Sequence, residues 1–263
     1  MDATHTSGPP KESADSLVSV ANNFAVAKPQ EDKLAILRKY EKYIREDGQA
    51  VLHQIKSCKG EEVGCPFLIK APRPVARSMA EKMEGLSFSQ RLYDKIPGRI
   101  LPHQTFKMAV AGCPNSCSMP QIKDFGVIAR EKVTVTDAEC ILCRKCLKAC
   151  REEAITLKPD TVAGPLPPKV IIHYERCVDC GQCARVCPTG SIKTESRGYT
   201  VVMGGKVGRH PRFATELVRF VQEPQVLKAL GMASEKILGE TGRNMYEVLV
   251  KESTLQKLRK EIQ

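Results

Sequence analysis

The sequence has no tryptophan, and aromatic residues make up only 5% of its 263 positions. A core built from this chain must therefore be mainly aliphatic. Aromatic and basic side chains do not alternate along the chain, which argues against a site for single-stranded nucleic acid. The apolar stretch nearest the start, 17–27, is short and is interrupted by Asn22 and Asn23. It predicts no membrane span.

The first residues, MDATHTSGPPKESADS, have no basic segment followed by an apolar one and no pair of arginines. No export signal is therefore predicted. Residues 1–30 are rich in Ser, Pro, Lys, Asp and Asn, a composition typical of a mobile tail. The chain has twelve cysteines, and their short, repeated spacings favour metal ligands over disulfides. We therefore expect a protein of the reducing cytoplasm.

Eight of the cysteines form an internal repeat in which two runs of C-x2-C-x2-C-x3-C are offset by 37 residues. This is the ligand pattern of a two-cluster ferredoxin, in which the fourth cysteine of each run binds the other cluster. The predicted ligand sets are Cys140, Cys143, Cys146 and Cys187 for one 4Fe-4S cluster, and Cys177, Cys180, Cys183 and Cys150 for the second. Zinc is the alternative, but structural zinc sites use well-separated ligand pairs or histidines.

The two runs differ after the last cysteine, which is followed by Pro188 in the second run and by Arg151 in the first. Arg151 removes no ligand, but it can open its cluster to water and raise the cluster's potential. Clusters held by four thiolates carry net negative charge. The formal charge of +11 therefore partly offsets the chain's own cofactors and does not by itself indicate nucleic acid.

Four cysteines remain, which is the number that one more cluster needs: Cys58, Cys65, Cys113 and Cys117. The second pair lies between two apolar runs in residues 106–128, FKMAVAGCPNSCSMPQIKDFGVI. This pattern predicts a strand, a metal-binding loop and a return to the sheet. The first pair lies in CKGEEVGC, where two glycines suit a loop that wraps around a metal.

The segments FKMAVAGCPNSC, PQIKDFGVI and GGKVGRHP, interrupted by the ferredoxin pattern, resemble the sulfite and nitrite reductase family, especially its dissimilatory type. The resemblance covers about four fifths of the chain. It implies that Cys58, Cys65, Cys113 and Cys117 hold a 4Fe-4S cluster and that Cys117 also bridges to the iron of a sirohaem. It also implies cofactor contacts from Asn115, Lys206 and Arg209.

Sirohaem carries many carboxylates, so basic side chains must line its pocket. The candidates are Arg73, Arg77, Lys107, Lys206, Arg209 and Arg212, each of which could instead be a solvated surface charge. His210 is a candidate proton donor, although a role in stabilising the turn is the simpler interpretation. No catalytic residue is assigned from the sequence.

Two features depart from the family pattern. Six residues separate Cys58 from Cys65 where the family has five, and only 57 residues precede Cys58 where the family has a longer region. We therefore expect an N-terminally shortened member whose pocket is completed by a partner subunit or a second copy of the chain.

The resemblance implies an α+β fold, with a sirohaem-reductase-like half domain split between 31–136 and 196–263. A ferredoxin-like domain with two 4Fe-4S clusters would be inserted at 137–195. The implied function is an iron–sulfur oxidoreductase in which a redox partner protein donates single electrons. They pass through the ferredoxin pair to a 4Fe-4S/sirohaem centre that reduces a small oxyanion such as sulfite or nitrite. The alternative is a non-catalytic electron-transfer subunit that carries three clusters in a larger redox complex.

Periodicity also predicts local structure. The predicted helices are 31–58 with a break at Gly48, 75–84, 87–93, 213–222, 225–230, 234–251 and a last one that ends at 263. The predicted strands are 105–111, 169–174 and 199–203.

Overall fold

A computed structural model describes residues 32–40, 43–158, 169–240 and 245–262. The tail predicted at 1–30 lies outside the described residues. The strands are β1 (His53–Ser57), β2 (Phe106–Ala111), β3 (Phe125–Val135), β4 (Ile155–Lys158), β5 (Lys169–Ile172), β6 (Ile192–Met203) and β7 (Thr215–Val221). The α-helices are α1 (Pro72–Gly85), α2 (Phe88–Lys95), α3 (Lys145–Ala149), α4 (Gln182–Val186), α5 (Glu223–Gly239) and α6 (Glu252–Ile262). None of these helices is both long and apolar enough to cross a membrane.

The main sheet has the strand order β1-β2-β3-β6-β7. β1, β2 and β3 are parallel, whereas β6 and β7 are antiparallel to their neighbours. α1 and α2 form the crossover from β1 to β2, as parallel neighbours require. β1 and β2 therefore end at the same edge of the sheet, and β3 continues beyond that edge as a long ladder with β6.

Two groups of buried side chains are separated along this ladder. The larger core contains α1, α2, α5 and α6 packed with the main sheet, and it is mostly aliphatic, as the composition predicts. The smaller one is built around Val133, Ile155, Ile172 and Ile192 together with cysteines of the repeat. β3 and β6 contribute to both groups, so they join the sheet rigidly to the cysteine-rich region.

The predicted helix at 75–84 and the predicted strand at 105–111 are confirmed as α1 and β2. α1 begins earlier than predicted because Pro72 occupies its first turn, where a missing N–H costs nothing. Its apolar stripe, Val75, Met79 and Met83, is fully buried. The combination of helices and strands agrees with the predicted α+β class.

The helix predicted at 31–58 is wrong. The chain has a 3-10 turn at Leu37–Lys39 and then strand β1, and only the predicted break at Gly48 is present, as a turn with φ +81°. The periodic side chains Leu34 and Leu37 are buried, but through irregular backbone. The backbone of β1 forms its hydrogen bonds with β2, a distant segment of the chain, and local periodicity cannot reveal such a pairing.

The helix predicted at 213–222 is also wrong, because this segment forms β7 along the edge of β6. Its buried side chains, Leu217 and Val218, are adjacent in sequence, and the register shifts twice along the pair. The helices predicted at 225–230 and 234–251 are instead one continuous helix, α5, followed by a 3-10 segment, Met245–Val250.

The internal repeat is present in the backbone as well as in the cysteines. α3 and α4 are offset by the same 37 residues, and each follows a residue in the left-handed region, Arg144 (φ 59°) and Gly181 (φ 70°). Leu142 and Asp179, also 37 apart, share a φ of 54°. Equal conformations at equal offsets support a duplicated unit.

Asp124, immediately before β3, gives a prediction about stability. Burial raises its pKa to about 6, although the Lys107 backbone N–H donates to its carboxylate at 2.8 Å. A raised pKa means that the folded chain holds this proton more tightly than the unfolded chain, so stability falls as pH rises from about 4 to above 6. The free energy of unfolding should fall by at most about 3 kcal/mol over this pH range, and partial solvent access makes the fall smaller. We expect Asp124→Asn to remove it. Urea unfolding at pH 4.5 and 7.5 should show that Asp124→Asn is more stable than the wild type only at the higher pH. The control Asp137→Asn, which replaces an exposed carboxylate, should show no gain in stability at either pH.

Candidate metal centre

Cys58 and Cys113 lie just beyond the ends of adjacent parallel strands. Cys58 follows β1, and its N–H continues the ladder by donating to the carbonyl of Val110 at 3.1 Å. Cys113 follows β2 after Gly112. Parallel pairing thus brings together two thiols that are 55 positions apart in the sequence.

All four cysteines outside the repeat line one cavity of ≈ 380 Å³: Cys58, Cys65, Cys113 and Cys117. Cys65 reaches it from the end of a 3-10 turn, Gly60–Val63, and Cys117 from a loop in which Ser116 has φ 55°. Cys113 is buried, whereas Cys117 is exposed at the rim. We call these four cysteines the third site.

Two thiols of the third site accept hydrogen bonds from nitrogen donors. The backbone N–H of Gly112 donates to Cys58 Sγ at 3.3 Å, and the side-chain amide of Asn115 donates to Cys117 Sγ at 3.1 Å. Such donors stabilise thiolates in the charged form. Around an iron–sulfur cluster they also tune its potential.

Burial raises the pKa of the Cys113 thiol, and the nearby thiols of Cys65, Cys117 and Cys58 raise it further. Four thiolates this close together repel one another, so they need a cation in the cavity to ionise together. An iron cluster supplies that positive charge. The donor set and the cavity therefore fit a 4Fe-4S cluster.

Gly112 gives a second prediction. A Cβ at this position would lie 2.5 Å from Leu68 Cδ1 and 2.8 Å from the carbonyl oxygen of Lys70. We expect Gly112→Ala to displace the segment after Cys65 and to lower the iron content by up to about four atoms per chain. The matched control is Gly85→Ala, whose Cβ would meet nothing within 4 Å. Anaerobic iron analysis should separate the two variants, and full iron content in Gly112→Ala would contradict the prediction.

Within the repeat, four cysteines line a second, small cavity with Val133, Ile155 and Ile172: Cys150, Cys177, Cys180 and Cys183. Burial raises the pKa of Cys183 to about 12, and the neighbouring thiols of Cys180 and Cys177 contribute. The structure thus brings Cys150 of the first run beside the first three cysteines of the second, as in the predicted crossed ligand set. We call these four cysteines the inner set.

The other predicted ligand set, Cys140, Cys143, Cys146 and Cys187, is called the outer set. Burial raises the pKa of Cys146, and the thiols of Cys140 and Cys187 contribute to the increase. Cys143 is exposed, and so is its neighbour Ile141. Burial opposes ionisation of Cys187, but hydrogen-bond donors from Ile192, Thr189 and Gly190 outweigh it and lower its pKa.

In the part of the chain that the structure describes, no three His, Cys, Asp or Glu side chains converge tightly enough to hold a single metal ion. A four-iron cube is larger than one ion, so its ligands stand farther apart. Four thiols around one cavity, as in the third site, are the donor set that a 4Fe-4S cluster uses.

Some of the basic residues predicted to bind sirohaem already have partners within the chain. Lys206 Nζ donates to Glu247 at 2.8 Å, and Arg212 pairs with the same carboxylate. Arg73 pairs with Glu62, and Lys107 Nζ donates to the carbonyl of Pro102 at 3.0 Å. The remaining candidates, Arg77 and Arg209, are exposed, and so is His210, the candidate proton donor.

A buried carboxylate that was not predicted lies between the ladder and the repeat. Glu131 in β3 is fully buried and accepts hydrogen bonds from Arg185 at 2.9 Å, Arg197 at 3.0 Å and Thr194 at 2.6 Å. Burial alone would raise the pKa of Glu131, but these donors outweigh it and hold the pKa below its ordinary value. A Cβ on Gly181 would lie 2.3 Å from this carboxylate, so only glycine fits there.

A further cavity of ≈ 390 Å³ lies between the third site and the repeat. Cys113 of the third site and Cys180 of the inner set both line it. Asn115, Arg151 and Gln182 contribute polar groups to the same cavity. The third site and the inner set are therefore neighbours across this space.

Comparison with known proteins gives an independent view of the chain. The family model "Nitrite and sulphite reductase 4Fe-4S domain" matches residues 50–235. The chain is 31% identical over 151 residues to the coenzyme F420-dependent sulfite reductase of Methanocaldococcus jannaschii, covering 54% of this chain and 23% of that protein. It is 26% identical over 151 residues to the dissimilatory-type sulfite reductase subunit beta of Nitratidesulfovibrio vulgaris, covering 54% and 40%. The chain thus spans less than half of either relative.

The fold is similar to a crystal structure of dissimilatory sulfite reductase I, with a TM-score of 0.50 and 18% identity. The similarity covers 79% of this chain and 51% of that one. It supports the predicted α+β reductase fold, and the family model confirms the predicted resemblance. The chain belongs to the nitrite and sulfite reductase 4Fe-4S domain family and carries the cysteines of an iron–sulfur protein.

Proposed function

We propose that the chain is the iron–sulfur part of a sulfite/nitrite reductase-type oxidoreductase and holds three 4Fe-4S clusters on its twelve cysteines. The observation that carries the proposal is the gathering of the third site around one cavity in a chain of this family. When bound, such clusters supply one-electron transfer. Reduction of sulfite to sulfide, with sulfur passing from +4 to −2, takes six such electrons.

The exposure of the thiols supports a direction for the electrons. The outer set has the exposed Cys143 and lies beside Ile141, whose side chain is 59% exposed. The inner set faces the third site across the shared cavity. We therefore propose that a redox partner protein docks at the outer set and that electrons pass from the outer to the inner set and then to the third site.

The exposed end of the third site supports a place for sirohaem. Cys117 lies at the rim, and Asn115 orients its sulfur by a hydrogen bond. We propose that a sirohaem would be held beside the third site by Cys117, with Lys206 and Arg209 as the basic residues for its carboxylates. When bound, sirohaem supplies the iron at which a small oxyanion such as sulfite is reduced. A partner subunit or a second copy would complete the pocket.

The alternative proposal is an electron-transfer subunit with three clusters and no sirohaem. The observation that favours it is the Glu247 carboxylate, which already pairs with Lys206 and Arg212. Paired side chains of this kind are less available to bind the carboxylates of a tetrapyrrole.

Anaerobic turnover distinguishes the two proposals. The purified protein is reduced with excess dithionite-reduced methyl viologen, and sulfite or nitrite is added. Extraction of one tetrapyrrole per chain together with sulfide or ammonia formation supports the reductase. Absence of pigment and of product in a protein that retains about twelve irons would contradict it and support the electron-transfer subunit.

A further inference from the structure

Two arginines of the repeat contact the segment that follows Cys65. Arg185 donates to the carbonyl of Pro66 at 3.1 Å and to that of Leu68 at 3.1 Å. The guanidinium of Arg151 lies 5.0 Å from the centre of the Phe67 ring, within the range of a cation–π contact. Residues 66–68, which follow the third-site cysteine Cys65, are thus contacted by side chains of the repeat.

Both arginines lie close in sequence to cysteines of the inner set. Arg151 directly follows Cys150, and Arg185 is two residues after Cys183. The same short helices and turns that place these cysteines therefore place the arginines. Any shift of the segment after Cys65 relative to the inner set must break these contacts.

The duplicated unit departs from its own repeat at these two positions. The counterpart of Arg151 in the second copy is Pro188, and the counterpart of Arg185 in the first copy is Lys148. At these two positions, the arginine occurs only in the copy that reaches the Cys65 segment.

Arg185 has a further partner, the buried carboxylate of Glu131. Its Nη2 donates to Glu131 Oε2 at 2.9 Å, and the backbone N–H of Glu131 donates to the carbonyl of Asp179 at 2.7 Å, next to Cys180. A guanidinium shared by one buried carboxylate and two carbonyls has little freedom to move. The contact to Pro66 and Leu68 is therefore rigid rather than a loose surface interaction.

We propose that Arg151 and Arg185 form an arginine clamp that fixes the distance between the inner set and the third site. They are positioning residues for electron transfer, and this role rests on the proposed function. In the step concerned, one electron leaves the reduced inner cluster and reduces the third cluster, with no bond made or broken. The rate of such a step falls steeply with distance, so a displaced Cys65 segment slows it.

The test uses the full-length, cluster-loaded chain and the variants Arg185→Met, Arg151→Pro and their combination. Lys148→Met is the matched control, because it changes the counterpart of Arg185 in the other copy. Hydrogen exchange at the amides of Phe67 and Leu68 reports on the clamp itself. Freeze-quench EPR after rapid reduction reports how fast an electron reaches the third cluster.

We expect the double variant to keep its iron, to exchange these amides faster, and to reduce the third cluster several-fold more slowly than the control. Arg185→Lys keeps the positive charge but loses the planar guanidinium with its several N–H donors. The rate at which this variant reduces the third cluster should therefore lie between those of the wild type and Arg185→Met. If the double variant loses iron, the Arg185→Lys comparison carries the test.

Exchange and electron-transfer rates equal to those of Lys148→Met would overturn the clamp while leaving the proposed function intact. Wild-type protein with about eight irons would instead contradict the proposed third cluster, and the electron-transfer role of the clamp with it. Iron content thus shows which of the two ideas has failed.

Discussion

Replacing Cys113 with serine is expected to remove about four of twelve irons per chain while the two ferredoxin-type clusters remain. Cys113 is the buried thiol of the third site, and three other thiols share its cavity. A serine hydroxyl at this position is a poor replacement for a buried thiolate ligand. Anaerobic iron and sulfide analysis with EPR of the reduced protein measures the loss.

The matched control is Ser116→Ala in the same loop. The hydroxyl of Ser116 is buried and has no hydrogen-bond partner among the described residues, so its removal should leave the iron content unchanged. Loss of the ferredoxin-type EPR signals in Cys113→Ser would show that the third site is not separate from the repeat. Unchanged iron in that variant would show that Cys113 binds no cluster.

Replacing Glu131 with glutamine is expected to destabilise the folded chain by about 2–4 kcal/mol. The carboxylate is fully buried and is shared by Arg185, Arg197 and Thr194. The amide of a glutamine would point its N–H₂ group at a side chain that also donates a hydrogen bond. It would also leave Arg185 and Arg197 without a negative partner at this position. Urea unfolding of the cluster-loaded protein under anaerobic conditions measures the effect.

Glu195→Gln is the control, because it removes a carboxylate from a solvent-accessible ion pair with Lys132 on the same two strands. Such pairs contribute less than about 1 kcal/mol. Equal midpoints for Glu131→Gln and Glu195→Gln would contradict the role given to the buried network.

The parts of the site that could be predicted are local in sequence. The C-x2-C-x2-C-x3-C spacing is the pattern of a two-cluster ferredoxin, so the repeat and the grouping of Cys150 with cysteines of the second run could be predicted without a fold. The apolar run before Cys113 likewise predicts β2 directly. The meeting of Cys58 with Cys113 followed from the family resemblance, because it depends on the pairing of β1 with β2, which no local pattern encodes.

The parts that were missed depend on contacts between distant segments. Glu131 lies between Arg130 and Lys132, and three charged residues in a row indicate a solvated strand, yet this carboxylate is fully buried. Its partner Arg185 is 54 positions away. β1 and β7 were missed for a related reason, since each is stabilised by pairing with its neighbour in the sheet rather than marked by its own periodicity.

We propose that four cysteines from separate segments make a third cluster site in addition to the ferredoxin pair. The most direct measurement is the iron, sulfide and extracted-pigment content of the anaerobically purified chain, combined with alkylation of accessible thiols. We predict about twelve irons per chain, one extractable tetrapyrrole if the chain is part of a reductase, and protection of four thiols from alkylation: Cys58, Cys65, Cys113 and Cys117. About eight irons with these four thiols open to alkylation would contradict it.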